Sequence, residues 1–225
     1  MINYELDGTT AVIAMDDGKA NALSDAMIDA LAAALARAED EAAAIVLVGR
    51  LDRFCAGFDL RVMMSSPDAA RAMLRRGAQL LMKLYGTPRP LVIACTGHAL
   101  AAGALVVLTG DIRIGAAGAY KLGLNEVAIG LPVPVLAMEL ARDRLDPREL
   151  PRATLGAHIY APEDAARAGY LDEIVAPGDV LARARVEAAR LGALPKRAYA
   201  GTKQRLRGRT IAHVPATLDD DMRGI

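Results

Sequence analysis

Two five-residue stretches, Ala44–Val48 (AIVLV) and Leu91–Cys95 (LVIAC), contain no charged or hydrogen-bonding polar side chain. A strand with one face in water alternates apolar and polar residues. An unbroken apolar run instead belongs to a strand buried on both faces. Strands of that kind need other elements packed over them, and the intervening sequence reads as helix. After Ser24, a good N-cap residue, Met27, Leu31 and Leu35 recur at every fourth position. After Pro67, the residues Met73, Leu74, Leu80, Leu81 and Leu84 mark a second and longer apolar face, which stops at Gly86-Thr87-Pro88. Two further strands open the chain, Ile2 to Leu6 and Thr10 to Met15, joined by the turn signal Asp7-Gly8. Short strands are expected at Ile112 to Ile114, Ala119 to Leu122 and Leu171 to Val175. Helices are expected from Val133 onward, at Pro162 to Ala168 and at Val180 to Leu191, followed by a basic and then acidic tail. Strands alternating with helices in this way predict an α/β fold.

The charge balance narrows the partners. Lys+Arg and Asp+Glu each number 27, so the whole chain exerts no net pull on nucleic acid or an anionic membrane. The start, Met1-Ile2-Asn3-Tyr4-Glu5, lacks the basic then apolar pattern of a signal peptide. The most apolar stretch, Ala99 to Leu108, is far short of the about 20 residues that cross a bilayer. Cys55 and Cys95 are too few for a disulfide framework or a zinc site and are expected to be buried thiols. A cytoplasmic protein that binds neither nucleic acid nor membrane is the expectation.

The chemistry is harder to place. Only His98, His158 and His213 are present, none in a nucleophile motif, and there is no phosphate loop or GxGxxG. Two small-residue loops stand out, Phe54 to Asp59 and the turn from Gly97 to Gly103, each following an apolar run. Small residues let a backbone N–H approach a ligand oxygen, and two such donors on one oxygen make an oxyanion hole. Tight helix–strand packing accounts for the same pattern, and residue spacing alone leaves both readings open.

Five segments in order make the chain resemble the crotonase superfamily of acyl-CoA enzymes. They are Asn21-Ala22-Leu23, then Phe54-Cys55-Ala56-Gly57-Phe58-Asp59-Leu60, then Thr96-Gly97-His98-Ala99-Leu100-Ala101-Ala102-Gly103, then Gly110-Asp111-Ile112-Arg113-Ile114, and Gly123-Leu124-Asn125-Glu126 leading to Gly130-Leu131-Pro132. The likeness covers most of residues 1 to about 190. It implies a ββα spiral core over residues 1–190, with a C-terminal helical segment and tail over 191–225. It implies an acyl-CoA thioester as substrate, no separate cofactor (CoA being part of the substrate) and no metal. By analogy the assembly is a homotrimer or a hexamer.

The resemblance also implies roles. The N–H groups of Ala56 and Ala102 are the matching oxyanion donors, and Glu126 matches an acid/base glutamate. Lys19, Ala20, Ala22, Leu23, Asp59, Leu60 and Arg61 fall in the segments that line the CoA groove. Lys203, in the only basic cluster, matches a region whose lysine reaches a CoA phosphate. Asp59 is expected to cap the following helix, Asp111 to make structural hydrogen bonds, and His98 to pack or bond locally. Two departures matter. Two glycines of the second motif are Ala101 and Ala102 here. The second glutamate of the family's hydratases falls at Leu105, which cannot move a proton. Glu126 alone matches the family's Δ3,Δ2-enoyl-CoA isomerases, which return one proton from C2 to C4. Thioester hydrolysis or slow hydration by Glu126, and acyl-CoA binding without turnover, are the other two readings.

Overall fold

The computed structural model describes residues 1–224. In chain order its strands are β1 (Ile2–Asp7), β2 (Thr10–Met15), β3 (Ala44–Val48), β4 (Asp52–Cys55), β5 (Leu91–Cys95), β6 (Gly97–Leu100), β7 (Ile112–Ala116), β8 (Leu122–Gly123) and β9 (Glu173–Val175). Its α-helices are α1 (Asp25–Glu41), α2 (Leu60–Met63), α3 (Pro67–Gly86), α4 (Ala102–Thr109), α5 (Val135–Arg144), α6 (Leu150–Ala153), α7 (Pro162–Ala168), α8 (Val180–Gly192) and α9 (Lys196–Asp221).

The strands form two sheets. One has the order β1-β2-β3-β5-β7-β9 and the other the order β4-β6-β8. Among the described strand pairs only β1/β2 is antiparallel. Successive turns of the chain place one strand in the large sheet and the next in the small one: β3 then β4, β5 then β6, β7 then β8. This is the ββα spiral, closed by a helical C-terminal region.

The two apolar runs are explained by what covers the large sheet. Val46 and Val48 of β3, with Val92 and Ala94 of β5, pack against Val180, Ala184, Ala188 and Leu191 of α8. Ile45 and Leu47, with Leu91 and Ile93, face the opposite core built by α1, α3 and α4. Parallel strands with both faces covered have no position for a polar side chain. The helix ends also follow local chemistry. Ser24 caps α1, its hydroxyl accepting from the Met27 N–H at 3.2 Å, and Ser66 caps α3 with Pro67 at the first position.

Three segments differ from expectation. The loop expected from Gly97 to Gly103 is strand β6, a single-residue turn at Ala101 and the start of α4. It reads as a loop because it is glycine- and alanine-rich, but a Cβ on Gly97 would overlap the backbone of Asp52, so the glycine permits close strand pairing with β4. The strand expected at Ala119 to Leu122 begins only at Leu122. The basic and then acidic tail is carried by helix α9, packed on α3 and α5, so the acidic end is helical rather than a free tail. Among the described residues no helix is long and apolar enough to cross a membrane.

Candidate active site

The small sheet is what gathers the site. β4, β6 and β8 are parallel, with Cys55 opposite Ala99 and Leu100 opposite Gly123. Their carboxyl ends therefore lie side by side, the general location of ligand sites in parallel sheets. Ala56 leaves the end of β4, Ala101-Ala102 the end of β6, and Glu126 follows β8 by three residues.

The first two exits interlock through glycines. A Cβ on Gly103 would sit inside the carbonyl of Cys55, so α4 packs against β4 as only glycine allows. A Cβ on Gly57 (φ +96°) would lie 3.1 Å from the Leu100 oxygen and 3.4 Å from the Ala102 nitrogen. The Ala56–Gly57 turn and the start of α4 are thus in contact. Ala102 is the first residue of α4, where a helix has no internal acceptor for the N–H. The helix N-terminus adds partial positive charge there.

Ala101 pays for this turn in backbone strain: φ +49° and ψ −124° is glycine territory, yet alanine occupies it. Its own N–H donates to the Gly123 oxygen at 2.9 Å. Ala102 has no positive φ, so the strain sits one residue before the expected donor. The other expected donor, the Ala56 N–H, is engaged, donating to the Ala20 oxygen at 3.1 Å. Ala56 itself is exposed.

Glu126 is 9% exposed and opens a short 3-10 turn, Val127–Ile129, which ends at Gly130 in the left-handed region. Its carbonyl accepts from the N–H groups of Ile129 and Leu131, both at 3.0 Å. Its carboxylate oxygen Oε2 is buried without a hydrogen-bond partner. Burial raises its pKa above the usual glutamate range, opposed more weakly by hydrogen bonds from its own and the Asn125 backbone. Tyr170 is fully buried, and burial above all, then the nearby Tyr160 and Glu126, pushes its hydroxyl above the ordinary tyrosine range. Leu105 is 3% exposed on α4, and every residue of that helix is buried.

The groove segments are stitched to the first loop. The Leu23 N–H donates to the Gly57 oxygen at 2.8 Å, and the Asp59 N–H donates to the Leu23 oxygen at 3.4 Å. Leu23 has its side chain in the core, Ala20 and Ala22 are half-buried, and Lys19, Leu60 and Arg61 are exposed. Asp59 caps α2, accepting from the Arg61 N–H at 3.0 Å, and pairs with the Arg61 guanidinium at 2.8 Å. That guanidinium holds the Asp59 carboxyl below its ordinary range.

Lys203 does not belong to this site. It is 6% exposed, its ammonium donating to Asp111 at 2.5 Å and to the Arg89 oxygen at 2.7 Å. Its match suggested a lysine reaching a CoA phosphate, but it lies on the face of α9 that enters the core, with its ammonium bound to Asp111 and the Arg89 oxygen. Asp111 is structural, as expected. It also accepts from Arg207 at 2.9 Å and from the Leu91 N–H at 2.8 Å. His98 bonds locally, its Nδ1 accepting from the Lys121 N–H at 3.0 Å. Cys55 and Cys95 are buried free thiols, and burial pushes both up to about 12. Among the described residues no group of three or more ligating side chains is placed to hold a metal.

Two residues escaped sequence reasoning: Tyr170, which carried no sequence signal, and Asn21, which was quoted inside a motif without a role. Asn21 sits in the left-handed region at φ +54° and is fully buried. An Asp17 four residues before it was the only available hint.

With this geometry in place, comparison with known proteins is informative. The family model for enoyl-CoA hydratase/isomerase matches residues 5–223. A relative from Rhodobacter capsulatus, named "Probable enoyl-CoA hydratase", is 34% identical over 96% of this chain and 85% of its own. The crystal structure of an enoyl-CoA hydratase/isomerase family protein from Pseudomonas syringae superposes with a TM-score of 0.96 at 36% identity, covering 99% of this chain and 96% of that one. That of human mitochondrial Δ3-Δ2-enoyl-CoA isomerase superposes with a TM-score of 0.94 at 28% identity, covering 99% and 89%.

Proposed function

The chain belongs to the enoyl-CoA hydratase/isomerase family, and on that footing we propose that it moves the double bond of a 3-enoyl-CoA to position 2. The observation that carries the reading is the pairing of one desolvated carboxylate, Glu126, with the buried apolar Leu105 where hydratases of the family place their second glutamate.

In this reading the thioester oxygen meets the Ala102 N–H at the start of α4, whereas the expected second donor, the Ala56 N–H, is taken by the Ala20 oxygen. Glu126 removes a proton from C2, and the C–H electron pair enters a dienolate whose charge collects on the thioester oxygen. The C3–C4 double bond becomes C2–C3 when the same carboxylic acid returns the proton at C4. Atoms balance with no water consumed. Raised basicity suits Glu126 to a weak carbon acid. The exposed side chains of Val127, Ile129 and Leu131, just past Glu126, offer apolar surface to an acyl chain.

The test is turnover of 3-hexenoyl-CoA by wild type and Glu126→Gln. Loss of about two to four orders of magnitude in the variant is expected. Tight binding of the thioester without turnover sinks the reading. So does crotonyl-CoA hydration faster than isomerisation, which would mean that Leu105 matters less than argued.

A further inference from the structure

We infer that Tyr170 is the positioning residue of Glu126: its hydroxyl donates to Oε2 of the carboxylate and leaves the other oxygen to take the substrate's proton. This rests on the reading of Glu126 as the base. Tyr170 closes the turn after α7, where Gly169 adopts φ +94° and the Tyr170 N–H donates to the Ala165 oxygen at 2.8 Å. The ring enters the core, fully buried, and packs on the ring of Tyr160 with centroids 5.6 Å apart. Tyr160 is tied to β8 through both of its backbone groups. Its N–H donates to the Leu122 oxygen at 2.8 Å, and its oxygen accepts from the Leu122 N–H at 3.0 Å. The phenol of Tyr170 is therefore fixed beside the strand that leads to Glu126.

A phenol hydroxyl both gives and takes a hydrogen bond. Burial raises the Tyr170 pKa, as do Tyr160 and Glu126, and the Leu124 N–H, a donor to the phenol oxygen, lowers it. That N–H can only give, and the hydroxyl's own hydrogen has no acceptor among the described residues. Oε2 of Glu126 is the complementary case, a buried acceptor without a donor. Tyr160 and Glu126 are the titratable groups that act on Tyr170, and no charged side chain among the described residues shifts Glu126. Tyr160 in turn faces Glu149, Arg152 and Asp164, and its hydroxyl donates to Glu149 at 2.9 Å. An unpaired buried donor and an unpaired buried acceptor each carry a desolvation cost, and one bond removes both. The carboxyl does the moving. It hangs from a short 3-10 turn on rotatable bonds, whereas the phenol is held by packing, and hydrogen bonds at a catalytic base often close only when substrate arrives. The bond favours the carboxylate over the acid. It opposes the desolvation that raises Glu126 and fixes which oxygen faces the substrate.

The experiment reads the Glu126 carboxyl itself. Glutamate labelled with 13C at Cδ gives its titration midpoint by NMR in wild type and Tyr170→Phe, the signal being assigned by its loss in Glu126→Gln. Phenylalanine keeps the ring and loses only the hydroxyl. The midpoint should rise by at least about 0.5 in pH, and the acidic limb of kcat/KM on 3-hexenoyl-CoA should rise with it. At high pH kcat should fall at least about threefold, with Kd for hexanoyl-CoA within about threefold of wild type. A role confined to packing leaves the midpoint where it is, and that overturns the inference whatever happens to the melting temperature. If Tyr170→Phe does not fold, tyrosine labelled with 13C at Cζ decides in the wild-type protein. The Tyr170 signal should then move through the Glu126 midpoint and stay fixed in Glu126→Gln; a signal that ignores the Glu126 titration overturns the inference. A wild type that leaves 3-hexenoyl-CoA unchanged, with a Glu126 midpoint that rises in Tyr170→Phe, overturns the isomerase reading and supports the hydrogen bond.

Discussion

The carbonyl oxygen of Gly123 accepts the N–H of Ala101 at 2.9 Å, and this bond joins the segment leading to Glu126 to the turn that opens α4. Glu126, the proposed base, and Ala102, the proposed oxyanion donor, are thus held by one stretch of the small sheet. A shift in the register Leu100–Gly123 would move them together.

Ala101 stores strain at that junction. Replacing it with glycine should raise stability by about 1 kcal/mol, because the relief at φ +49° exceeds the added freedom of the unfolded chain. Urea denaturation of Ala101→Gly checks this, and a lower midpoint than wild type contradicts it. Activity should be retained, since glycine holds the same turn.

Glu126 should link stability and activity to pH in opposite senses. Its folded-state pKa is raised by burial, so the folded state binds the proton more tightly than the unfolded chain. Stability from this group is present below the unfolded glutamate value of about 4.3 and is lost as pH rises through the folded value. Glu126→Gln should therefore be more stable than wild type at neutral pH, with the gap closing as pH falls toward 4. Turnover by wild type should fall on acidification, with a midpoint above the ordinary glutamate range. A midpoint at or below about 4.3 contradicts this.

Leu105→Glu returns a second carboxylate to α4. The site is 3% exposed, so the variant should lose about 3 kcal/mol of stability, moderated by the helix N-terminus. Crotonyl-CoA hydration should rise above the wild-type rate. A variant that folds, binds acyl-CoA and shows no gain in hydration would mean that position 105 does not face the added water.

Asp111 anchors the C-terminal helix. It meets Lys203 and Arg207 in the interior, and Asp111→Asn would leave two buried cations without their carboxylate. A loss of about 3–5 kcal/mol is expected, with proteolysis or hydrogen exchange opening first along α9. A near-neutral effect would show that the Tyr85, Thr109 and Arg89 carbonyls, which also accept from these cations, suffice.

Much of the fold was legible in local pattern. The runs at Ala44–Val48 and Leu91–Cys95 became central strands because their periodicity reports burial on both faces. Ser24 and Asp59 became caps because their side chains bond within two or three residues of themselves. What failed was tertiary in origin. Gly97 looked like a loop residue until Asp52 was found packed against it. Lys203 matched a CoA-phosphate lysine until Asp111, distant in sequence, was found beneath it.

The site divides along the same line. Motif order and identity, read along the chain, named Ala56, Ala102 and Glu126 and exposed the replacement of a carboxylate by Leu105; these depend only on which residues stand where. That the Ala56 N–H is held by Ala20, that Ala101 rather than Ala102 carries the strain, and that Tyr170 lies near Glu126 depend on contacts between segments distant in sequence. Their energies come from desolvation and hydrogen-bond geometry, which a one-dimensional pattern does not contain and the packed small sheet does.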